Sequence, residues 1–353
     1  MTILITGGCG FVGSNLAILI KQKYPAYKII AFDNLRRRGS ELNIPRLKEN
    51  AVEFIHGDIR NKEDFEEIGE INILIDAAAE PSVLAGMGTS TDYLIHTNLN
   101  GTINCLNYAL KYKAQFIFLS TSRVYPIKQL EQVNFYESDT RFELAVEQSI
   151  TGFSDRGVSE SFPLNGSRSL YGATKLASEL IIQEYTELLG LKSVINRCGV
   201  ITGAYQMGKV DQGVIVLWVA RHFWKRELSY IGYGGQGKQV RDILHIHDLF
   251  NLIDWQIHNF SQVSGEIFNV GGGNESSVSL KELTLLCEAT TGNKISISSV
   301  PENRVADIPI YLTDNTYVTN KTGWKPDIKS EKIISEITDW IKLNEHILKP
   351  ILY

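Results

Sequence analysis

The sequence is poor in the features that would tie a chain to metal, disulfide, membrane or nucleic acid. Its four cysteines, Cys9, Cys105, Cys198 and Cys287, stand far apart, with no C-x-x-C pair. That spacing argues against a zinc site or a disulfide framework and fits a reducing compartment. His245 and His247 are two apart without a third ligand nearby, so no metal is expected. The longest obvious apolar run, VIVLWVA at 214–220, is far shorter than the roughly 20 residues that cross a bilayer. Charge of neither sign dominates: 35 Lys and Arg against 40 Asp and Glu leave −5, without long runs. Nucleic acid and anionic membranes are therefore not expected partners. The opening MTILITGG lacks the basic n-region and cleavage site of a signal peptide. No internal repeat or low-complexity segment is visible. The expectation is a soluble cytoplasmic protein, and 353 residues favour about two domains.

What is present is alternation. Short runs nearly continuous in Ile, Val, Phe and Leu occur at 3–6, 28–33, 52–56, 71–76, 116–120, 193–197 and 267–270. Such runs suit parallel strands buried on both faces. Helical patterns such as SNLAILIKQKY and NGTINCLNYALKYK lie between them, which predicts an α/β doubly wound parallel sheet of about seven strands. The segment 171–189 reads as a helix with Ala177, Ile181, Tyr185 and Leu188 on one stripe and Gly190 as its C-cap. Beyond about residue 200 the spacing loosens and glycine accumulates, as in YIGYGGQGKQ at 230–239. Later helices are expected at 279–292 and near EKIISEITDWIKLN. The predicted organisation is a dinucleotide-binding domain over 1–200, with a returning strand near 240–272. A smaller mixed α/β domain over 201–239 and 273–353 would take the substrate.

The first strand runs into GGCGFVG, which sets Gly7, Gly10 and Gly13 at G-x-x-G-x-x-G spacing before a helix. Missing side chains there permit a tight turn, close approach of backbone to a pyrophosphate, and tight helix–strand packing. The helix offers its first N–H groups to the anion. Asp33 ends the next strand twenty residues beyond Gly13, where an acid holds a ribose diol and repels a 2′-phosphate. NAD rather than NADP is therefore expected. The run Arg36-Arg37-Arg38 has two readings, a phosphate contact or a solvated loop. Asp58 in GDI and the small residues Ala77, Ala78 and Ala79 in AAAEPS either approach the cofactor or serve tight packing.

The stretch SLYGATK places Tyr171 four residues before Lys175 at a helix head, so both side chains share a face. A free phenol, with a pKa of about 10, is a poor base at neutral pH. A neighbouring ammonium favours the phenolate, which would then accept a proton from a substrate alcohol while hydride leaves its carbon. A strand ending in STSRVY adds Thr121, whose hydroxyl either meets the reacting oxygen or caps the strand end.

Together these residues resemble the extended short-chain dehydrogenase/reductase family of nucleotide-sugar-modifying enzymes. The resemblance spans nearly the whole chain, through TGGCGFVGSNL, FDN, HGDIRN, NLNGT, STSRVY, YGATK and GKQVRDILHIHD. It implies a catalytic triad of Thr121, Tyr171 and Lys175, with Lys175 also holding the nicotinamide ribose. It adds Phe11, Val12, Asn34 and Ile59 to the expected cofactor contacts, and further along the chain Asn98, Ser120 and Cys198. Family members are commonly dimers through a helix pair flanking the triad, so a homodimer is expected.

Within the family, 4,6-dehydratases follow the catalytic Thr with Asp-Glu. Here Ser122 and Arg123 follow, so elimination of water is not expected. The closer resemblance is to epimerases of CDP-linked hexoses acting at C2, carried by FDNLRRRG, EFIHGDIRNKED, DQG, GKQVRDILH and FNVGGG. A nucleotide sugar, with a CDP-hexose favoured, is thus the expected substrate. Alternatives are a 4-epimerase or another oxidoreductase of a UDP-, GDP- or dTDP-sugar. A non-catalytic dinucleotide-binding sensor is a different class, in which the tyrosine or lysine is often lost. Glu80, Ser122 and Arg123 are expected near the sugar. Arg241 and Arg304 suit the diphosphate, or alternatively form ion pairs with Asp242 or Asp307. Gln206, Lys209 and Gln212 line the nucleotide pocket or form a polar surface loop. Tyr230 and Tyr233 stack a base or pack a strand. Asp76 stands where many relatives have His, Glu80 where many have Gln, and Pro126 where Gly is usual.

Overall fold

A computed structural model describes residues 1–88, 90–208 and 212–353. Seven strands form the central sheet: β1 Thr2–Thr6, β2 Lys28–Asp33, β3 Glu53–His56, β4 Ile73–Asp76, β5 Gln115–Thr121, β6 Ser193–Cys198 and β7 Ile267–Val270. Each coincides with an apolar run in the sequence to within two residues. The order across the sheet is β7-β6-β5-β4-β1-β2-β3. Parallel registers join β1 to β2 and β4, β2 to β3, and β5 to β4 and β6. The fold is the doubly wound parallel sheet expected, and the strand order reverses between β1 and β4. A crevice at the carboxyl ends of strands forms at such a reversal.

Three helices position the site. α1 (Phe11–Lys23) packs on β1 and β2, α2 (Thr102–Lys111) on β4 and β5, and α3 (Leu170–Leu189) on β5 and β6. Under them Leu4, Phe32, Leu74, Phe116, Phe118, Leu106 and Ile182 form one buried cluster. α3 begins at Ser169, whose hydroxyl accepts from Gly172 N–H at 3.2 Å, and ends at Gly190 with φ 71°. Its buried face is only partly the apolar stripe, of which Ile181 and Tyr185 pack half-buried against the core. Leu188 is 75% exposed, whereas Tyr171, Thr174, Lys175, Ser178 and Glu179 are buried. The helix turns its polar residues inward because they meet partners on β4, β5 and β6. Between Asp92–Ile95 and α2, one π-helical turn, His96–Gly101, widens the helix. Such turns mark functional sites often.

The chain divides into two compact units. The first comprises Met1–Val124, Ser169–Cys198 and Leu249–Phe268; the second Tyr125–Arg168, Gly199–Asp248 and Asn269–Tyr353. The second is comparable in length to the first, because residues 125–168 belong to it. Within it, Val240–His245 pairs in parallel with Val200–Thr202 and Ile310–Tyr311 and antiparallel with Ser277–Ser279. Phe142, Val240, Ile310 and Leu312 make a small core there. The helix Leu280–Thr291 opens on a capping box of Ser279 and Glu282, and Ser330–Leu343 supplies the later helix expected. The thiols of Cys9, Cys105, Cys198 and Cys287 are all buried and unbridged. Among the described residues no helix is long and apolar enough to cross a membrane, and no group of three or more His, Cys, Asp or Glu is placed to hold a metal.

Candidate active site

The loop after β1 is a cradle that side chains would fill. A Cβ on Gly13 would come within 2.2 Å of the Gly7 carbonyl oxygen, and one on Gly8 within 2.5 Å of Ala31. Gly7, at φ 62°, lies against the backbone of Ala77 and Ala78, and Gly10 N–H donates back to its carbonyl at 2.9 Å. α1 opens immediately after, and Phe11 and Val12 lie half-buried in its first turn. Asp33 locks the cradle to β2, because its carboxylate accepts from Cys9 N–H at 3.0 Å and Leu35 N–H at 2.7 Å. Burial raises its pKa above the ordinary carboxylate value, against the amides of Leu35, Cys9 and Gly10.

Asn34 donates to Asp58 at 2.8 Å, and Arg60 binds the same carboxylate at 2.6 Å. Burial works upward on Asp58, but Arg60 and Asn34 together hold it down at about 2. Arg36 lies 3.7 Å over the Tyr93 ring and Arg60 lies 4.8 Å from it. Arg36 of the arginine run thus stacks on an aromatic ring while remaining exposed. Ile59 is buried against Gly101, at the end of the π turn. Asn98 in that turn exchanges two hydrogen bonds with the backbone of Glu80, at 2.8 and 3.0 Å, and its carbonyl accepts from Ser178 on α3 at 2.8 Å.

Thr121 ends β5, and Tyr171 and Lys175 occupy the first turns of α3. The structure brings the three together inside the first unit, with exposures of 7%, 9% and 1%. Tyr171 shares a hydrogen bond with Thr121. Lys175 Nζ lies 3.9 Å from the centre of the Phe118 ring. Cys198 pairs in register with Thr121 on the neighbouring strand.

The electrostatics correct one expectation. Burial pushes Tyr171 up to about 12, with Thr121 and Arg123 pulling down and Cys198 and Glu80 pushing up. Lys175 is itself driven below the usual amine range by burial, against Asp76, Glu179, Cys198 and Cys105. Desolvation thus outweighs the acidifying pulls of Thr121 and Arg123, and the phenol is left neutral.

Two buried carboxylates act on Lys175; the sequence reading noted Asp76 only as a departure from relatives and missed Glu179. Glu179 is held by Arg197 at 3.0 and 2.7 Å and by the Ser120 hydroxyl. Asp76 accepts from Thr6 at 2.7 Å and Thr102 at 2.9 Å. The signal for Glu179 was present, since it follows Lys175 by the same four residues that separate Lys175 from Tyr171. Asp76 carried no periodic signal.

The expected substrate residues fall in both units and are described separately. In the first, Glu80, Ser122 and Arg123 are half-buried, and Glu80 and Arg123 act electrostatically on Tyr171. In the second, Gln206 is engaged with Thr202 at 2.9 Å and the Ile201 carbonyl at 3.1 Å. Arg241 pairs with Asp307 at 2.7 Å and donates to the Ile308 carbonyl at 2.7 Å, which is one of the two alternatives for it. Arg304 is exposed and Gln212 half-buried; Lys209 lies outside the described residues. Tyr230 stacks on Trp218, Tyr233 packs edge-on against Phe142, and His245 pairs with Glu336 at 3.1 Å.

Comparison with known proteins places this geometry in context. The model of the NAD dependent epimerase/dehydratase family matches residues 3–271. A CDP-paratose 2-epimerase from Salmonella typhi is 32% identical, over 96% of this chain and 99% of its own. A putative UDP-glucose 4-epimerase from Methanocaldococcus jannaschii is 28% identical, over 97% and 99%. Among solved structures, a dTDP-glucose 4,6-dehydratase from Bacillus anthracis in complex with NAD superposes with a TM-score of 0.78 at 26% identity, covering 99% of both chains.

Proposed function

Because the chain belongs to the NAD dependent epimerase/dehydratase family, we propose that it epimerises a CDP-linked hexose at C2, interconverting CDP-paratose and CDP-tyvelose through a 2-keto sugar. NAD is the cofactor, and the side-chain-free cradle at Gly7, Gly10 and Gly13 fits its pyrophosphate. The observation that carries the reading is the gathering of Thr121, Tyr171 and Lys175 at the carboxyl end of β5. Ser122 and Arg123 after Thr121 supply no carboxylic acid for eliminating water, which favours epimerisation over dehydration. The choice of CDP and of C2 is supported by the relative at 32% identity.

Held by the cradle at Gly7, Gly10 and Gly13, NAD would supply reversible hydride acceptance at the sugar carbon. The chain's own groups move the proton. Thr121 holds the C2 hydroxyl by a hydrogen bond, Tyr171 accepts that hydroxyl's proton, and the same phenol returns it to the carbonyl oxygen. The outward step requires the phenolate, so Tyr171 first releases its own proton to solvent, a loss that the positive charges of Lys175 one turn away and of bound NAD would favour; the neutral phenol formed in that step then serves the return. Asn98, pinned to Glu80 and Ser178, fixes the helix spacing on which this geometry depends. We assign Arg304 to the nucleotide diphosphate and Gln206 and Gln212, with Lys209, to the nucleotide pocket. Exposed Leu180 and Leu189 on α3 favour a homodimer, and action in the cytoplasm is part of the proposal.

The test is a panel of CDP-, UDP-, GDP- and dTDP-hexoses read by product NMR. CDP-paratose or CDP-tyvelose should be inverted at C2 with a C2 deuterium retained. Loss of that label to solvent would point to deprotonation of carbon, and turnover of a UDP-hexose at C4 would favour the activity named for the 28% identical relative. Sedimentation tests the dimer.

A further inference from the structure

Four charged side chains lie inside the first unit around the triad lysine: Lys175, Arg197, Asp76 and Glu179, with exposures of 1%, 3%, 0% and 0%. Glu179 is engaged two-fold by Arg197 and also accepts from Ser120. That pair is closed on itself. Asp76 is left as the charge that balances Lys175. Strand register fixes its place: Asp76 ends β4 opposite Phe118 on β5. Register partners on neighbouring strands share a face. Lys175 Nζ rests over that same Phe118 ring, so ammonium and carboxylate share one buried face.

We propose that Asp76 is a positioning residue, the buried counter-charge that keeps Lys175 an ammonium one turn from Tyr171. The arrangement has a physical logic. A carboxylate in direct contact would take the ammonium's hydrogen-bond donors. Thr6 on β1 and Thr102 on α2 hold the Asp76 oxygens from two sides, at 2.7 and 2.9 Å. The carboxylate thereby supplies its field without consuming the lysine's protons. The groups facing Lys175 are Asp76 from β4, Glu179 from α3, Cys198 from β6 and Cys105 from α2, with Tyr171 a turn before. Burial raises both thiols, which keeps them neutral, and Arg197 offsets Glu179. Of these groups Asp76 favours the ammonium most strongly. For its catalytic consequence the proposal rests on the oxidoreductive reading above; its electrostatic content does not.

The experiment titrates Lys175 in the NAD-loaded protein by 13Cε lysine NMR, the signal being assigned by its loss in Lys175→Met. In Asp76→Asn, which preserves shape and an acceptor for a threonine hydroxyl, the lysine midpoint should fall by about one pH unit or more. The alkaline limb of the rate profile should fall with it, and Asp76→Glu should restore part of both. An unmoved lysine midpoint in folded Asp76→Asn overturns the proposal. Where that variant does not fold, Asp76→His decides: the lysine midpoint should fall there too, and an unmoved midpoint overturns the proposal equally. No sugar is needed for the NMR arm, so failure to turn over any nucleotide sugar would strike the functional reading alone.

Discussion

Glu179 in the first unit and Asp242 in the second are both wholly shut off from solvent, but they are kept there by different means. Glu179 meets a guanidinium at 2.7 Å, with side-chain exposures of 0% and 4% for the two partners. Asp242, on Val240–His245, meets backbone: Gly273 N–H at 3.0 Å and Thr313 N–H at 3.3 Å. Burial pushes Asp242 up to about 6, against the hydrogen bonds from Thr313 and Gly273. An ion pair offsets a buried carboxylate with an opposite charge. Amides only lower the cost of its charge, and the proton remains a competitor. The catalytic helix is therefore anchored by an ion pair, whereas the second unit ties its loops with a carboxyl that burial pushes up.

The largest effect expected on the first unit is chemical. Tyr171→Phe should lower turnover on the best substrate about 10²- to 10⁴-fold while leaving the unfolding midpoint in place. Full retention of turnover would remove the phenol from the mechanism. Next, Arg197→Met should cost about 3–5 kcal/mol in denaturant unfolding, because it strands the Glu179 charge. A loss below about 1 kcal/mol would mean that the pair does not anchor the helix, and the contrast with Asp242 would dissolve. Asp242→Asn should be milder and visible in pH. The folded state favours the acid form of Asp242, so that stability is full below about pH 4. It declines as pH climbs from there through about 6. On the order of 2 kcal/mol of that slope should vanish in the variant, and an unchanged slope on pH-dependent thermal unfolding would contradict the assignment. The smallest effect is at the helix head: Ser169→Ala removes the acceptor for Gly172 N–H and should cost about 1 kcal/mol.

The inner strands were legible because they are buried on both faces and so read as nearly uninterrupted apolar runs, while the edge strand Glu53–His56, with exposed ends, kept only Phe54 and Ile55 as its signal. The cradle and the triad were legible because spacing along the chain sets them, three residues between glycines and four between Tyr171 and Lys175. Other features are set by tertiary contacts and leave no local mark. The strands Phe135–Glu137 and Phe142–Leu144, two of those that give residues 125–168 their form, are three residues each. The π turn at His96–Gly101 adds a residue to a helix without disturbing composition. The stripe was a true helical period that packs Ile181 and Tyr185 on the core and leaves Leu188 exposed, while the fully buried face of α3 carries hydrogen-bonding groups that hydrophobicity does not count. The protonation of Tyr171 was misjudged for the same reason: desolvation belongs to the fold rather than to the neighbouring turn.

The four sequestered thiols give the molecule a built-in reporter. Burial raises the pKa of each, Cys198 to about 12, so an alkylating reagent meets almost no thiolate while the chain is closed. Cys9, Cys105 and Cys198 lie in the first unit and Cys287 in the second. Modification at each position, resolved by mass, therefore clocks the opening of one unit independently of the other without any engineered label.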